Sequence, residues 1–146
     1  MRVIIAGGRD FNDFDFLDKE TVKIMKLLRT EGINVNVNNI SIVSGEASGA
    51  DTLGEKFADK YGIRVDKHPA KWNDLDAIPC KIKTNRYGKE YNALAGFNRN
   101  RDMALFAKED EEIGVLIAFW DKKSHGTKDM IDLGNKYGLR VFIVEY

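Results

Sequence analysis

The sequence predicts an α/β fold in which strands and helices alternate around one mainly parallel sheet. Three observations carry this. Five short apolar runs rich in Val, Ile and Phe recur along the chain, helical patterns fill the spaces between them, and glycines fall in the turns just after three of the runs. Alternation of this kind builds an α/β sandwich with right-handed crossovers.

The first run, Val3–Ala6, is continuously apolar and suits a strand covered on both faces. Phe16, Leu17, Val22, Ile24, Met25, Leu27 and Leu28 then carry the period of a long amphipathic helix ending near Gly32. Ile40–Ser44 reads as a second covered strand, and Leu53, Phe57 and Ala58 mark a helix from about Asp51 to Tyr61. The third run, Ile63–Val65, alternates on to Lys67 and reads as an edge strand. A third helix holds Met103, Ala104, Leu105 and Phe106, preceded by Asn98-Arg99-Asn100-Arg101-Asp102. Val115–Trp120 and Val141–Val144 read as the fourth and fifth strands, both continuous enough to be covered on two faces. Met130, Ile131, Leu133 and Tyr137 place a helix between them.

The stretch from Gly49 to Val65 echoes the stretch from Gly126 to Val141, each passing through Lys-Tyr-Gly and then a strand. Gly62 and Gly138 fit the left-handed position that closes a helix, and independent βα units converge on this solution. The rhythm breaks only at 70–97, a long connection with Trp72, Pro79, Cys80 and the basic residues Lys81, Lys83, Arg86 and Lys89. Connections of this length are usually functional or mobile.

A chain of 146 residues makes a single domain, 1–146, large enough to fold without a disulfide or metal staple. One cysteine, Cys80, forms no internal disulfide, and no Cys or His spacing resembles a zinc site. No metal and no cofactor is expected. No run approaches the length of a membrane span and the first residues do not read as a signal peptide, so a cytoplasmic protein is expected. The 23 basic and 23 acidic residues balance, which argues against a general coat for nucleic acid or anionic membrane. The balance is uneven along the chain: residues 81–101 are basic, and acids gather in Asp10–Glu20 and Glu109–Glu112.

The chemistry is expected on one rim of the sheet. Strand C-termini of an open parallel sheet share an edge, and ligands bind there where the strand order reverses. Glycine in the βα turns lets backbone N–H groups approach an anion, and the next helix adds the positive end of its dipole. Three turns qualify. Gly7-Gly8-Arg9-Asp10 departs from the dinucleotide fingerprint, and its Arg9 either forks onto a phosphate or pairs with Asp10 or Asp13. Ser44-Gly45-Glu46-Ala47-Ser48-Gly49-Ala50-Asp51 offers an anion nest with the Ser44 and Ser48 hydroxyls, while Asp51 either caps the helix or touches a ribose. After Trp120, which either stacks on a base or is simply half-buried, come Ser124, Gly126 and Thr127 at a helix start. Arg99 and Arg101, two apart on a helix, point to different faces, one toward the rim and the other to solvent. His68 and His125 lack evident partners for catalysis.

Gly-Gly-Arg-Asp at 7–10, SGEASGAD at 44–51, Trp72, Tyr87-Gly88-Lys89, Ala95-Gly96, Arg99–Met103 and AFWDKKSHGT at 118–127 together resemble the YspA-type branch of the SLOG superfamily, which links DprA/Smf to the LOG phosphoribohydrolases. The resemblance runs almost end to end. It implies a three-layer Rossmann-like sandwich with five strands in the order 3-2-1-4-5, which sets the Gly7–Asp10 turn beside the Ser124–Thr127 turn. It also implies a nucleotide or nucleotide-derived, ADP-ribose-like ligand, with members in bacteria and bacteriophages, and self-association of the isolated domain. In a phage setting the pocket would sequester a host nucleotide signal within the host cytoplasm.

The site expected on this basis comprises Gly7, Gly8, Arg9, Asp10, Ser44, Gly45, Ser48, Gly49, Asp51, Trp72, Asn98, Arg99, Trp120, Ser124, Gly126 and Thr127. LOG enzymes use an arginine four residues before a methionine, as Arg99 and Met103 are, together with a PGGxGTxxE loop. Here Gly126-Thr127 match that loop, but Met130 stands where the catalytic glutamate belongs, with Asp129 one position earlier. A methionine neither takes a proton nor stabilises a cationic transition state. Binding is therefore expected over hydrolysis; N-glycosidic cleavage by Arg99 and Asp129 is the enzymatic alternative. Single-stranded nucleic-acid binding through Lys81–Lys89, as in DprA, is a third reading, weakened by the neutral charge and missing aromatic interleaving.

Overall fold

The computed structural model describes all residues, Met1 to Tyr146. The chain forms β1 (Arg2–Gly7), α1 (Phe14–Thr30), β2 (Ser41–Ser44), α2 (Ala50–Tyr61), β3 (Arg64–Lys67), β4 (Ile82–Thr84), β5 (Glu90–Asn92), α3 (Ala95–Lys108), a 3-10 turn (Glu109–Glu111), β6 (Gly114–Trp120), α4 (His125–Lys136) and β7 (Arg140–Glu145). Five strands form one parallel sheet in the order β3-β2-β1-β6-β7, the order expected for the five apolar runs.

Strand alternation splits the core into two layers. Val3 and Ile5 of β1, Ile42 of β2 and Val115, Ile117 and Phe119 of β6 face α1 and α2, meeting Leu17, Ile24, Leu28, Phe57 and Ala58. Ile4, Ala6, Val43, Leu116 and Ala118 face the opposite way, onto Met103, Ala104 and Ala107 of α3 and Met130 and Ile131 of α4. Since β1, β2 and β6 are covered on both sides, the continuous apolar runs follow from their position. The fifth run departs from expectation. β7 lies at the edge of the sheet and none of its residues is buried.

Helix ends follow their sequence signals. The Asp13 side chain accepts from the Phe16 N–H to cap α1, and Ser124 accepts from the Thr127 N–H to cap α4. Gly62 closes α2 in the left-handed conformation, and Gly138 holds a positive φ after α4. A Cβ at either glycine meets no atom within 4 Å, so an alanine there adds backbone strain without collision. Gly62→Ala and Gly138→Ala are each expected to lower stability by about 1 kcal/mol, read as a shift in the urea midpoint at unchanged m-value.

The long connection is not a plain loop. Its middle is an antiparallel hairpin, with Ile82 opposite Asn92 and Thr84 opposite Glu90. α3 also begins earlier than the sequence suggests, at Ala95, so Asn98 to Asp102 lie inside the helix rather than before it. No helix is long and apolar enough to cross a membrane.

Candidate functional site

Every strand of the sheet ends on one rim, because all its pairings are parallel. Strand order reverses beside β1: β2 and β3 lie to one side, β6 and β7 to the other. At this point a cleft of about 630 Å³ opens above Gly7, between the β1 turn and the β6 turn.

Three helix N-termini line it. Asp51 comes from the first turn of α2, Gly96 and Phe97 from the first turn of α3, and Ser124, Gly126 and Thr127 from the start of α4. The first N–H groups of a helix have no partner within it, so three such ends make the cleft receptive to negative charge. At α4, Ser124 Oγ accepts from the Thr127 N–H at 3.3 Å and from the Thr127 hydroxyl at 3.0 Å. The preceding turn is fixed by Asp121, whose Oδ1 accepts from the N–H of Lys123 at 2.8 Å and of Ser124 at 2.9 Å. Those bonds, that from Ser124 foremost, hold the Asp121 carboxyl below its usual range.

Charged side chains of both signs face the cleft: Arg9 and Arg99 against Asp10, Asp51 and Asp121. Arg99 is half-buried, and burial pulls its pKa down while the Asp51 charge opposes this. Its Nη1 donates to the Gly45 carbonyl, and its Nε donates to Asn100 Oδ1 at 3.0 Å. Asp51 is buried, and desolvation pushes its carboxyl up to about 6 despite Arg99 and the Ala47 N–H, which donates to it at 3.3 Å. A carboxyl at about 6 in a cleft changes charge just below neutral pH.

Of the residues expected at the site, Gly7, Gly8, Arg9, Asp10, Asp51, Trp72, Arg99, Ser124, Gly126 and Thr127 line the cleft. Arg9 has no carboxylate within 4.0 Å, so its alternative as an ion pair with Asp10 or Asp13 is not formed. Asp51 is not the helix cap either; Gly49 holds that position. Trp72 leans over the start of α3, with its ring 3.5 Å from where a Cβ on Gly96 would lie.

Six expected residues do not line it. Ser44 is buried and its hydroxyl donates to Glu55 Oε2 at 2.8 Å while accepting from the Glu46 N–H. Ser48 is exposed outside the cleft. Gly45 and Gly49 serve as backbone: a Cβ at Gly45 would lie 2.6 Å from Arg99 Nη1, and one at Gly49 would lie 2.1 Å from the Gly8 carbonyl oxygen. Asn98 donates to the Pro79 carbonyl on the far side of α3. Trp120 packs against the α3–α4 core, and its Nε1 donates to the Ser124 carbonyl at 3.2 Å. It braces the α4 turn from below.

The pair suggested for hydrolysis is joined indirectly. Asn100 accepts from Arg99 through Oδ1, and its Nδ2 donates to Asp129 Oδ2 at 3.1 Å and to the Gly126 carbonyl at 3.3 Å. Asp129 itself does not line the cleft, and burial raises its pKa. His68 packs its ring on Phe106 at 4.7 Å between centroids. No group of three or more His, Cys, Asp or Glu is arranged to hold a metal ion.

Ala47, Ala93, Phe97 and Asn100 also line the cleft, outside the expected set, as does Met103, which the sequence marks only as the partner of Arg99 in a motif. Arg99, Asn100 and Met103 lie three, four and seven positions after Gly96, so a helix carried back to Ala95 puts all three on the face that turns to the rim.

No curated protein and no solved structure matches the chain. A model of the YspA, cpYpsA-related SLOG family matches residues 1–74, which hold β1, β2, β3 and the two glycine turns packed against each other at the cleft. The chain belongs to the YspA, cpYpsA-related SLOG family.

Proposed function

We propose that this domain binds a nucleotide or nucleotide-derived ligand of the ADP-ribose type in the rim cleft. The convergence of three helix N-termini with Arg9 and Arg99 on one cleft of about 630 Å³ carries the reading. Phosphate belongs at the start of α4, where the backbone is bare: a Cβ on Gly126 meets nothing within 4 Å. Arg9, free of carboxylate partners, supplies the cation. Asp51 and Asp10 offer carboxylate acceptors for ribose hydroxyls, and Trp72 offers a ring for the base. Ser44, Ser48, Asn98 and Trp120 have no direct part in this arrangement. Sequestration of a host nucleotide signal by a phage-encoded copy is one use such a site would serve.

Binding is favoured over N-glycosidic hydrolysis because Asp129 bonds to Asn100 and does not line the cleft. Titration calorimetry with nucleotides, cyclic nucleotides and ADP-ribose derivatives tests the proposal, with saturable heat expected for at least one. No heat from any of them at high protein concentration would sink it. Gly126→Glu sets a carboxylate in open space at a helix N-terminus, which favours acidic residues. The variant is expected to keep the wild-type melting temperature and to weaken ligand binding at least about tenfold.

A further inference from the structure

A second cavity, of about 370 Å³, lies on the other side of α3, beneath the connection that carries the hairpin. Its charged lining is Lys67, Lys71, Arg99 and Arg101 against Asp74 and Asp102, an excess of cations. Lys67 lies within 3.4 Å of Glu46 and 3.7 Å of Glu55, and Arg101 lies 3.9 Å from Asp102. Lys71 has no carboxylate within 4.0 Å.

Asn92, at the end of β5, also lines this cavity, and it is fully buried. Its Oδ1 accepts from the N–H of Lys81 at 3.1 Å and of Leu94 at 3.0 Å, which fixes the amide so that the other atom is the NH₂ group. That nitrogen has no acceptor. A buried donor without a partner is costly, and native structures leave few of them unexplained. The cavity that Asn92 borders carries an excess of cations, so an acceptor that reaches the amide from there would carry negative charge.

We infer that this cavity is a second oxyanion site, taking a phosphate group through the Asn92 amide with Lys71 and Arg101. Arg99 lines both cavities, so the second site adjoins the first across a single side chain. The phosphate is either the far end of a ligand that also fills the rim cleft or a separate phosphate. The inference does not depend on occupancy of the rim cleft, since its readout is local to Asn92.

Titration of the ¹⁵N-labelled protein with inorganic phosphate tests it, following the side-chain amide pair of Asn92. A saturable shift is expected, absent when sodium chloride replaces phosphate at equal ionic strength. Lys71→Glu combined with Arg101→Glu, at two positions outside the rim cleft, is expected to weaken that response at least about tenfold while Gly126 keeps its own. An Asn92 amide that phosphate leaves unmoved, that chloride moves equally, or that responds unchanged in the charge-reversed variant would overturn the inference. A nucleoside diphosphate separates the two sources. One spanning ligand moves Asn92 and Gly126 with a single Kd, whereas separate sites let the diphosphate move Gly126 alone.

Discussion

Gly49→Ala is expected to destabilise the domain by more than about 3 kcal/mol, and to do so through backbone rather than through any lost side chain. Gly49 caps α2 at φ 79° and ψ −127°, a conformation essentially closed to residues with a Cβ. Strain of this kind costs on the order of 1–3 kcal/mol alone. The site is also occupied: the new methyl would lie 2.1 Å from the Gly8 carbonyl oxygen and 2.5 Å from the Arg9 carbonyl carbon. The same Gly8 carbonyl accepts from the Ala50 N–H at 3.1 Å and from the Phe11 N–H at 3.2 Å. Relief of the clash would break the contact that holds the β1 turn against α2. Equilibrium urea unfolding checks the loss. A variant within about 1 kcal/mol of wild type would show that the two turns are not packed backbone to backbone.

Asp51→Asn is expected to act the opposite way, stabilising the protein at neutral pH. Burial raises the Asp51 carboxyl from an ordinary 3.8 to about 6, so between those values the folded chain holds a proton that the unfolded chain has lost. Stability from this group therefore falls as pH rises from about 4 to about 6, and the deficit is complete above that range. Two pKa units correspond to roughly 3 kcal/mol, an upper figure for the gain. The asparagine keeps an acceptor for the Ala47 N–H and never ionises. Thermal unfolding across pH is expected to show the variant above wild type at pH 7.5, with the two curves merging near pH 4. A gap that is flat with pH would reject burial of the charge as its cause. If the carboxylate receives ribose hydroxyls, the stabilised variant also binds nucleotide more weakly, the expected trade when a costly charge is kept for a ligand.

The fold was legible because its determinants are local and regular. Val3–Ala6, Ile40–Ser44 and Val115–Trp120 are continuous because both faces of β1, β2 and β6 are covered. Val141–Val144 is just as apolar yet forms an edge, so an apolar run alone does not reveal how many neighbours a strand has. The hairpin leaves no such run at all. The residues of β4 are all exposed, so Ile82–Thr84 carries no alternation to read. α3 starts after Leu94 without a side-chain cap, leaving no signal at its true beginning.

The site was legible in its glycine turns and only partly in its polar residues. Gly7, Gly8 and Gly126 reach the cleft because strand ends dictate where such turns lie. Ser44 looked equally suitable, but Glu55, one helix away in space, claims its hydroxyl. The raised pKa of Asp51 depends on how completely the α2 start is enclosed, which no spacing in the sequence records. Asn92 belongs to a segment noticed for its basic charge, and its unpartnered amide emerges only from the hairpin's fold.

The pairing of β1 with β6 has a consequence for how the chain is made. Residues 1–74 contain β1, β2 and β3, which are synthesised first and pair with one another on one side of β1. The other edge of β1 stays open, because Arg2 waits for Gly114 and Gly7 waits for Phe119. Until then a strand with an apolar centre, Val3 to Ala6, presents a free row of N–H and C=O groups, the template on which nascent chains pair wrongly. Sheet closure is thus the late, non-local step and the slow one. A ribosome stalled before residue 114 is expected to display a chain that binds holdase chaperones, and one that has released β6, α4 and β7 a chain that no longer does.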